Sequence, residues 1–158
     1  MFIVLFLRFH MLKITFLGTG TSQGVPVIGC ECEVCTSVYK EDKRLRTSVL
    51  IESDSTTVVI DTGPDFRQQM LRENIQAING VLFTHEHSDH TAGIDDLRPY
   101  TYKMGEVPIY AQKRVLESLK VRFSYIFETK NRYAGAPKLS ANIIDSESFM
   151  LDLSLIHI

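Results

Sequence analysis

Three of the five histidines in this chain fall within six consecutive positions, and a carboxylate lies among them. They follow a short apolar run at 81–83, which predicts a buried strand. If the backbone stays extended beyond Phe83, the first two histidines and the aspartate project to the same side. The last histidine then stands near the start of the next element. The residues of this cluster are His85, His87, Asp89 and His90.

Imidazole and carboxylate groups at this spacing are typical of metal ligands. Both groups bind zinc, imidazole also suits iron, and carboxylates accept manganese. Four donors so close together can serve two ions, which lie about 3.5–4 Å apart in two-metal hydrolases. The alternative is a solvated polar loop, which a lone histidine would favour. A histidine cluster directly after a buried strand favours the metal site.

All three cysteines of the chain are crowded into positions 30–35. Thiolates at Cys30, Cys32 and Cys35 could bind one zinc ion together with a fourth ligand from elsewhere. Three free thiols in a surface loop are the alternative. An odd number of cysteines does not suggest a disulfide framework, so we expect a reducing, cytoplasmic setting.

Two further segments could contact a ligand. Arg44 and Arg46 precede a predicted strand, and a guanidinium at the mouth of the site would suit a phosphate group. A solvated charge run is the alternative for both arginines. The glycine-rich segment 18–24 could bring backbone N–H groups close to a ligand, although a simple turn explains it equally well.

These motifs together resemble a known family. The pattern His85-x-His87-x-Asp89-His90 resembles the signature of the metallo-β-lactamase superfamily. The segments 17–26, 30–35 and 44–48 are similar to its cyclic phosphodiesterase branch, which includes the phosphoribosyl cyclic phosphodiesterase of phosphonate breakdown. The resemblance runs from about residue 12 to about residue 110.

The resemblance implies a fold and a set of roles. The fold is an α/β protein, the αββα sandwich, of which this chain holds the N-terminal half and somewhat more. His85 and His87 would bind one metal, and Asp89 and His90 the other. Asp61 would support this cluster from behind the ligands, so Asp61 and Asp89 are the candidate catalytic carboxylates. The three cysteines would bind a separate structural zinc, completed by a distant C-terminal histidine.

The predicted function is hydrolysis of a phosphodiester, most naturally a small cyclic phosphate, by water that two divalent ions activate. We expect zinc, with manganese or iron as alternatives, and a possible additional structural zinc. Other chemistries of the superfamily remain open, namely tRNA 3′ processing and thioester or lactam hydrolysis. An inactive metal-binding fragment is the non-enzymatic alternative.

Composition narrows the class of partners. The chain has 158 residues, of which 44% are hydrophobic and 23% are charged, as expected for one globular domain. A formal net charge of -2 does not suggest general attraction to nucleic acid or to membranes. We therefore expect a small phosphodiester substrate, no stable nucleic-acid partner and no membrane, and we leave a homodimer open.

The two ends of the chain differ from the middle. We expect residues 1–10 to be a non-native or extended start, residues 11–152 to form the domain, and residues 153–158 to be a sequencing artefact. The superfamily needs further ligands downstream, but His157 is the only histidine after His90, and we do not assign it. We therefore expect this chain to be a piece of a longer enzyme.

The remaining expectations concern single elements. Apolar patterning predicts strands at 12–17, 48–52, 57–60, 81–83, 107–110, 141–144 and 149–151. Pro108 suggests an edge strand. A helix opened by Pro64 is expected to bury Phe66, Met70 and Leu71. Another helix should begin near Thr91 and end before Pro99. An amphipathic helix should bury Val115, Leu116, Leu119 and Phe123.

Overall fold

The computed structural model describes residues 12–130, 132–146, 148–151 and 154–157, and its centre is a six-stranded mixed sheet. The strands lie in chain order: β1 (Lys13–Gly18), β2 (Ser48–Glu52), β3 (Thr57–Ile60), β4 (Gly80–Leu82), β5 (Val107–Ala111) and β6 (Leu139–Ile143). The first three strands are antiparallel, and β3 to β6 are parallel. A separate antiparallel pair follows, formed by β7 (Ser148–Leu151) and β8 (Ser154–His157).

The helices fill the connections between the strands. They are α1 (Glu33–Thr36), α2 (Phe66–Arg72), α3 (Ser88–Thr91), α4 (Arg98–Met104), α5 (Lys113–Arg122) and α6 (Ser124–Phe127). Two short 3₁₀ turns add Lys40–Asp42 and Ile94–Leu97. No helix in the described part of the chain is both long enough and apolar enough to cross a lipid bilayer.

One face of the sheet forms the hydrophobic core with the helices. Alternate residues of neighbouring strands, among them Leu50, Val59 and Val81, are fully buried on this face. The helices contribute Phe66 from α2 and Leu119 from α5 to the same cluster. Alternate side chains of the strands and the apolar sides of the helices therefore pack into a single core.

The opposite face of the sheet is apolar but only partly covered. Ile14 pairs with Ile51 and Phe16 pairs with Val49, so these four side chains share that face. Ile14 is 54% exposed and Phe16 is 68% exposed. The β7–β8 pair covers another part of this face, where Phe149 stacks on Tyr110 with ring centroids 5.3 Å apart. We call the part formed by Ile14, Phe16, Val49 and Ile51 the open sheet face.

The predicted α/β class is confirmed, and so are the strands at 48–52 and 57–60. The prediction that Pro108 marks an edge strand is wrong, because β5 lies between β4 and β6. The N–H of Val107 points toward β6 and donates to the carbonyl of Lys138, the residue before that strand. The missing N–H of Pro108 therefore faces β4, whose pairing begins only at Ile109.

Two helix predictions also need correction. The helix near Thr91 does not run to Pro99, since α3 ends at Thr91 and Pro99 lies in the first turn of α4. Proline is tolerated there because the first-turn N–H groups have no partner within the helix. Leu71 is exposed, and Gln69 takes its place on the buried side of α2. The helix α5 buries Val115, Leu116 and Leu119 as predicted, whereas Phe123 follows the helix and is only partly buried.

The predictions for the chain ends are not tested. The expectation for residues 1–10 lies outside the described residues. Residues 154–157 form β8, while residues 152, 153 and 158 also lie outside. The proposed boundaries of the domain therefore stay predictions.

The open sheet face should make the 158-residue chain self-associate, because exposed apolar patches and strand edges favour contacts between copies. We expect the double variant Ile14→Thr, Phe16→Ser to shift the chain toward the monomer in size-exclusion chromatography with light scattering. Val121→Ser is the matched control, since Val121 is 80% exposed on α5 but lies off the sheet. Equal association of the parent and the double variant would contradict the role of this face.

Candidate metal centre

The candidate site lies where two neighbouring parallel strands end. The loops after β3 and β4 emerge at the same edge of the sheet, because Ile60 pairs with Leu82 in parallel register. The N–H of Asp61 continues the ladder by donating to the carbonyl of Leu82 at 2.8 Å. The two sequence motifs, 61–63 and 84–90, are thereby side by side.

The two loops are joined through their backbones. The N–H of Thr62 donates to the carbonyl of His90, and the N–H of Gly93 donates to the carbonyl of Thr62, both at 2.8 Å. A Cβ atom on Gly63 would lie 2.2 Å from the carbonyl oxygen of Asp89. A Cβ atom on Gly93 would lie 2.2 Å from the carbonyl oxygen of Gly63. Only glycine permits this close approach, which fixes how far residues 84–90 lie from the sheet. We call residues 84–90 the histidine loop.

Asp61 lies behind the histidine loop and is only 2% exposed. Its Oδ1 accepts the N–H of Thr84 at 2.8 Å, and its Oδ2 accepts the hydroxyl of Thr84 at 2.7 Å. Oδ2 also meets Nδ1 of His90 at 2.6 Å. The backbone of Asp61 has a φ of 63°, a left-handed conformation that is uncommon outside glycine. The surrounding bonds hold this conformation, as is usual where strain serves a site.

These bonds define the hydrogen positions on two histidines. A carboxylate only accepts, so Nδ1 of His90 carries the proton that it shares with Asp61. The hydroxyl of Thr84 has one proton, which goes to Asp61, so its oxygen accepts from Nδ1 of His85 at 3.0 Å. In both rings Nδ1 is thereby engaged, and Nε2 is the atom left for a metal ion. Asp61 thus orients both rings, one directly and one through Thr84.

The predicted ligands come together at this edge. The ring centroids of His85 and His87 lie 4.7 Å apart, and those of His85 and His90 lie 4.0 Å apart. Nε2 of His90 lies 3.3 Å from a carboxylate oxygen of Asp89. The expected extended backbone ends earlier than predicted, because α3 begins at Ser88 and carries Asp89 in its first turn.

The donor set suits divalent metal ions, since neutral imidazoles and a carboxylate present lone pairs in one place. Within the part of the chain that the structure describes, these four residues contain no trio whose donor atoms all lie within 4.8 Å of one another. A metal ion held by fewer than three of these donors needs further ligands.

The outer side of the histidine loop contacts α5. Arg114 pairs with the carboxylate of Glu86, and Arg122 donates to the backbone carbonyl of Glu86. The pKa of the Glu86 carboxyl is lowered first by its own backbone N–H and then by the charge of Arg114, with burial acting in the opposite direction. Glu86 is therefore a carboxylate turned toward the helix.

The three cysteines form a second cluster. Their Sγ atoms all lie within 4.8 Å of one another, and Cys32 is the exposed member. The N–H of Val27 donates to Sγ of Cys35 at 3.4 Å. The backbone N–H of Cys35 and the thiol of Cys30 lower the pKa of Cys32. The grouping suits a metal ion, although zinc binding here stays a prediction.

Both candidate phosphate-binding arginines contact the protein itself. Arg46 donates two hydrogen bonds to Oδ2 and Oδ1 of Asp65, from its backbone N at 2.8 Å and from Nη1 at 3.0 Å. Its Nε donates to the carbonyl of Ser22 at 2.8 Å. Arg44 donates to the carbonyl of Thr19 at 3.3 Å. The two arginines thus anchor the glycine-rich loop, and their role toward a phosphate stays a prediction.

The helix expected to open at Pro64 begins at Phe66, with Asp65 at its N-cap. The side chain of Asp65 makes no capping hydrogen bond. Its carboxylate is instead engaged by Arg46. This ion pair connects the loop after β3 to the segment before β2.

Sequence reasoning missed several positioning residues. Thr84 lies beside the histidine motif, and its position directly before His85 was an available signal. Gly63 and Gly93 were visible as glycines, but their close contacts depend on two loops meeting. Arg122 had no local signal, because it lies 36 residues from Glu86 in the chain.

Comparison with known proteins places this geometry in a family. The model of the beta-lactamase superfamily domain matches residues 56–158, more than half of the chain. An octanoyltransferase from Porphyromonas gingivalis is 47% identical over 129 residues, which make up 81% of this chain but 26% of that protein.

Two solved structures are similar over 89% of the chain. A diphosphatase from the PhnP family is 41% identical with a TM-score of 0.79, and 54% of its chain is covered. Zn²⁺-bound PqqB from Methylobacterium extorquens is 23% identical with a TM-score of 0.66, and 48% of its chain is covered. The second likeness concerns the fold alone. The chain thus spans about half the length of these two structures, and it belongs to the beta-lactamase superfamily.

Proposed function

We propose that the protein containing this chain is a metal-dependent hydrolase that acts on phosphodiesters, with a small cyclic phosphate as its substrate. The observation that carries the proposal is the cluster of His85, His87, Asp89 and His90, in which Nδ1 of two imidazoles is engaged and Nε2 is left to bind a metal ion. The 41% identity to a diphosphatase supports a reaction at phosphorus.

The residues divide into two ligand pairs. His85 and His87 would hold one divalent ion, and Asp89 and His90 a second, with zinc expected and manganese or iron as alternatives. When bound, such ions supply an activated water and stabilise the charge on the phosphoryl oxygens. Asp61 keeps the rings of His85 and His90 in one tautomer and one orientation. Asp89, the carboxylate among the ligands, would act as the catalytic acid–base group.

Three other reactions compete with this proposal. The superfamily includes tRNA 3′ processing, thioester hydrolysis and lactam hydrolysis, and a metal-binding fragment without activity is a further alternative. The name octanoyltransferase belongs to a protein of which this chain covers 26%, so it carries little weight for this domain. A small phosphodiester partner, a cytoplasmic setting and a homodimer belong to the same proposal, and the three unbridged cysteines support the setting.

A side-by-side assay separates these chemistries. The metal-loaded protein would be given a cyclic ribose phosphate, bis-p-nitrophenyl phosphate, a dinucleoside diphosphate, a pre-tRNA and an acyl thioester. We expect the highest kcat/KM for the cyclic phosphate. A higher kcat/KM for the diphosphate would identify diphosphates, rather than cyclic phosphates, as the substrate class. Turnover of the thioester alone would exclude a reaction at phosphorus. Metal uptake without any turnover would favour the inactive fragment.

His87→Ala should lower both metal content and activity, because it removes one donor from a ligand pair. We expect activity to fall about 100-fold or more, beyond the roughly 10–100-fold that loss of a partner behind a ligand costs. The melting temperature of the metal-free protein should stay close to that of the parent. Exposed Lys120→Ala is the control. Parental turnover with parental metal content would exclude His87 as a ligand.

We also propose a structural zinc at Cys30, Cys32 and Cys35, with a fourth ligand from elsewhere. The mutual approach of the three Sγ atoms supports it.

Cys32→Ser should reduce stability more than it reduces the intrinsic rate, because a structural zinc contributes folding free energy. The melting temperature and the zinc content should both fall, while kcat per folded molecule changes little. Thermal unfolding with zinc analysis would measure this. An unchanged melting temperature together with unchanged zinc content would contradict the proposal.

A further inference from the structure

The side chain of Arg122 lies across the outer side of the histidine loop. Its Nη1 donates to the backbone carbonyl of Glu86 and, at 3.3 Å, to Oγ1 of Thr91. Its Nη2 donates to Oγ of Ser88 at 2.9 Å. One guanidinium at the end of α5 therefore binds three oxygens of a segment only six residues long.

These oxygens alternate with the proposed ligands. The carbonyl of Glu86 belongs to the peptide that joins Glu86 to His87, so it lies between the two histidines of the first pair. Ser88 and Thr91 flank the second pair, Asp89 and His90. The hydroxyl of Thr91 also contacts the carbonyl of His87 at 2.9 Å, which links the two halves. Arg122 thus contacts the backbone or side chain next to every proposed ligand.

We propose that Arg122 is a positioning residue that holds the two ligand pairs at a fixed separation. This inference rests on the proposed metal-binding function. A planar guanidinium has several donors in a rigid fork, so it can bind oxygens in different directions at once. A lysine at the same place has a single ammonium on a flexible stem and could not reproduce the arrangement.

Arg114 provides a matched comparison on the same helix. It lies two turns before Arg122 and pairs with the side-chain carboxylate of Glu86. Its own side chain is 64% exposed. Removing Arg114 deletes the same charge close to the same loop but leaves the contacts at the three oxygens intact.

An electrostatic role and a positioning role of Arg122 predict opposite changes in metal affinity when the arginine is removed. Removing a positive charge near bound cations should strengthen metal binding if the charge alone matters. If Arg122 acts by positioning, its removal should weaken metal binding despite the lost repulsion. The sign of the change therefore distinguishes the two roles.

The test compares Arg122→Gln, Arg122→Lys, Arg114→Gln and the parent 158-residue chain. Zinc and cobalt affinities would be measured by competition with a chelator, and amide hydrogen exchange at 85–92 would be measured without metal. We expect Arg122→Gln to weaken metal binding about tenfold, as lost contacts behind ligands do, and to speed exchange of the amides of His90 and Ala92. The metal affinity of Arg122→Lys should lie between those of the parent and Arg122→Gln. Arg114→Gln should bind metal as tightly as the parent or more tightly.

Several outcomes decide the matter. Equal or tighter metal binding by Arg122→Gln, with parental exchange, would overturn the positioning role. If Arg122→Gln does not fold, Ser88→Ala removes one of the three contacts from the loop side, and parental affinity and exchange in that variant would overturn it too. If the parent chain takes up no metal, hydrogen exchange alone decides whether Arg122 fixes the loop.

Discussion

The buried carboxylate of Asp61 is the constraint on which the rest of the site depends. A carboxylate that is 2% exposed is tolerated only where hydrogen-bond donors compensate its lost hydration. The N–H and hydroxyl of Thr84 and the Nδ1 of His90 supply them. Satisfying this charge therefore requires the histidine loop to lie in one place.

The sheet makes this arrangement possible. The parallel pairing of β3 with β4 brings Asp61 within reach of a residue 23 positions later. Glycines at 63 and 93 then allow the two loops to touch through their backbones. On the other side, α5 follows the next parallel strand and brings Arg122 to the same loop. Three consecutive parallel strands thus each deliver one part of the site.

Sequence predicted the parts of this protein that are encoded locally. The histidine cluster, the strands at 48–52 and 57–60 and the buried side of α5 follow from spacing and alternation within a few residues. The edge-strand prediction from Pro108 failed because a central strand accepts proline where its neighbour is not yet paired, and β4 begins to pair only at Ile109. Leu71 misled because Gln69 is held inside by the carbonyl of Arg46, a contact between distant segments. Arg122 could not be found by any local pattern, since its acceptors lie 31 to 36 residues away.

The hydrogen bonds of Asp61 also determine when the ordering entropy of the site is lost. Thr84 and Asp61 fix the rings of His85 and His90 through hydrogen bonds within the protein. Their rotational freedom is therefore given up during folding, and little remains to be lost when a ligand arrives. An ion could leave and another enter without the loop refolding. Exchange of one metal species for another then becomes a matter of coordination kinetics, separate from the stability of the domain.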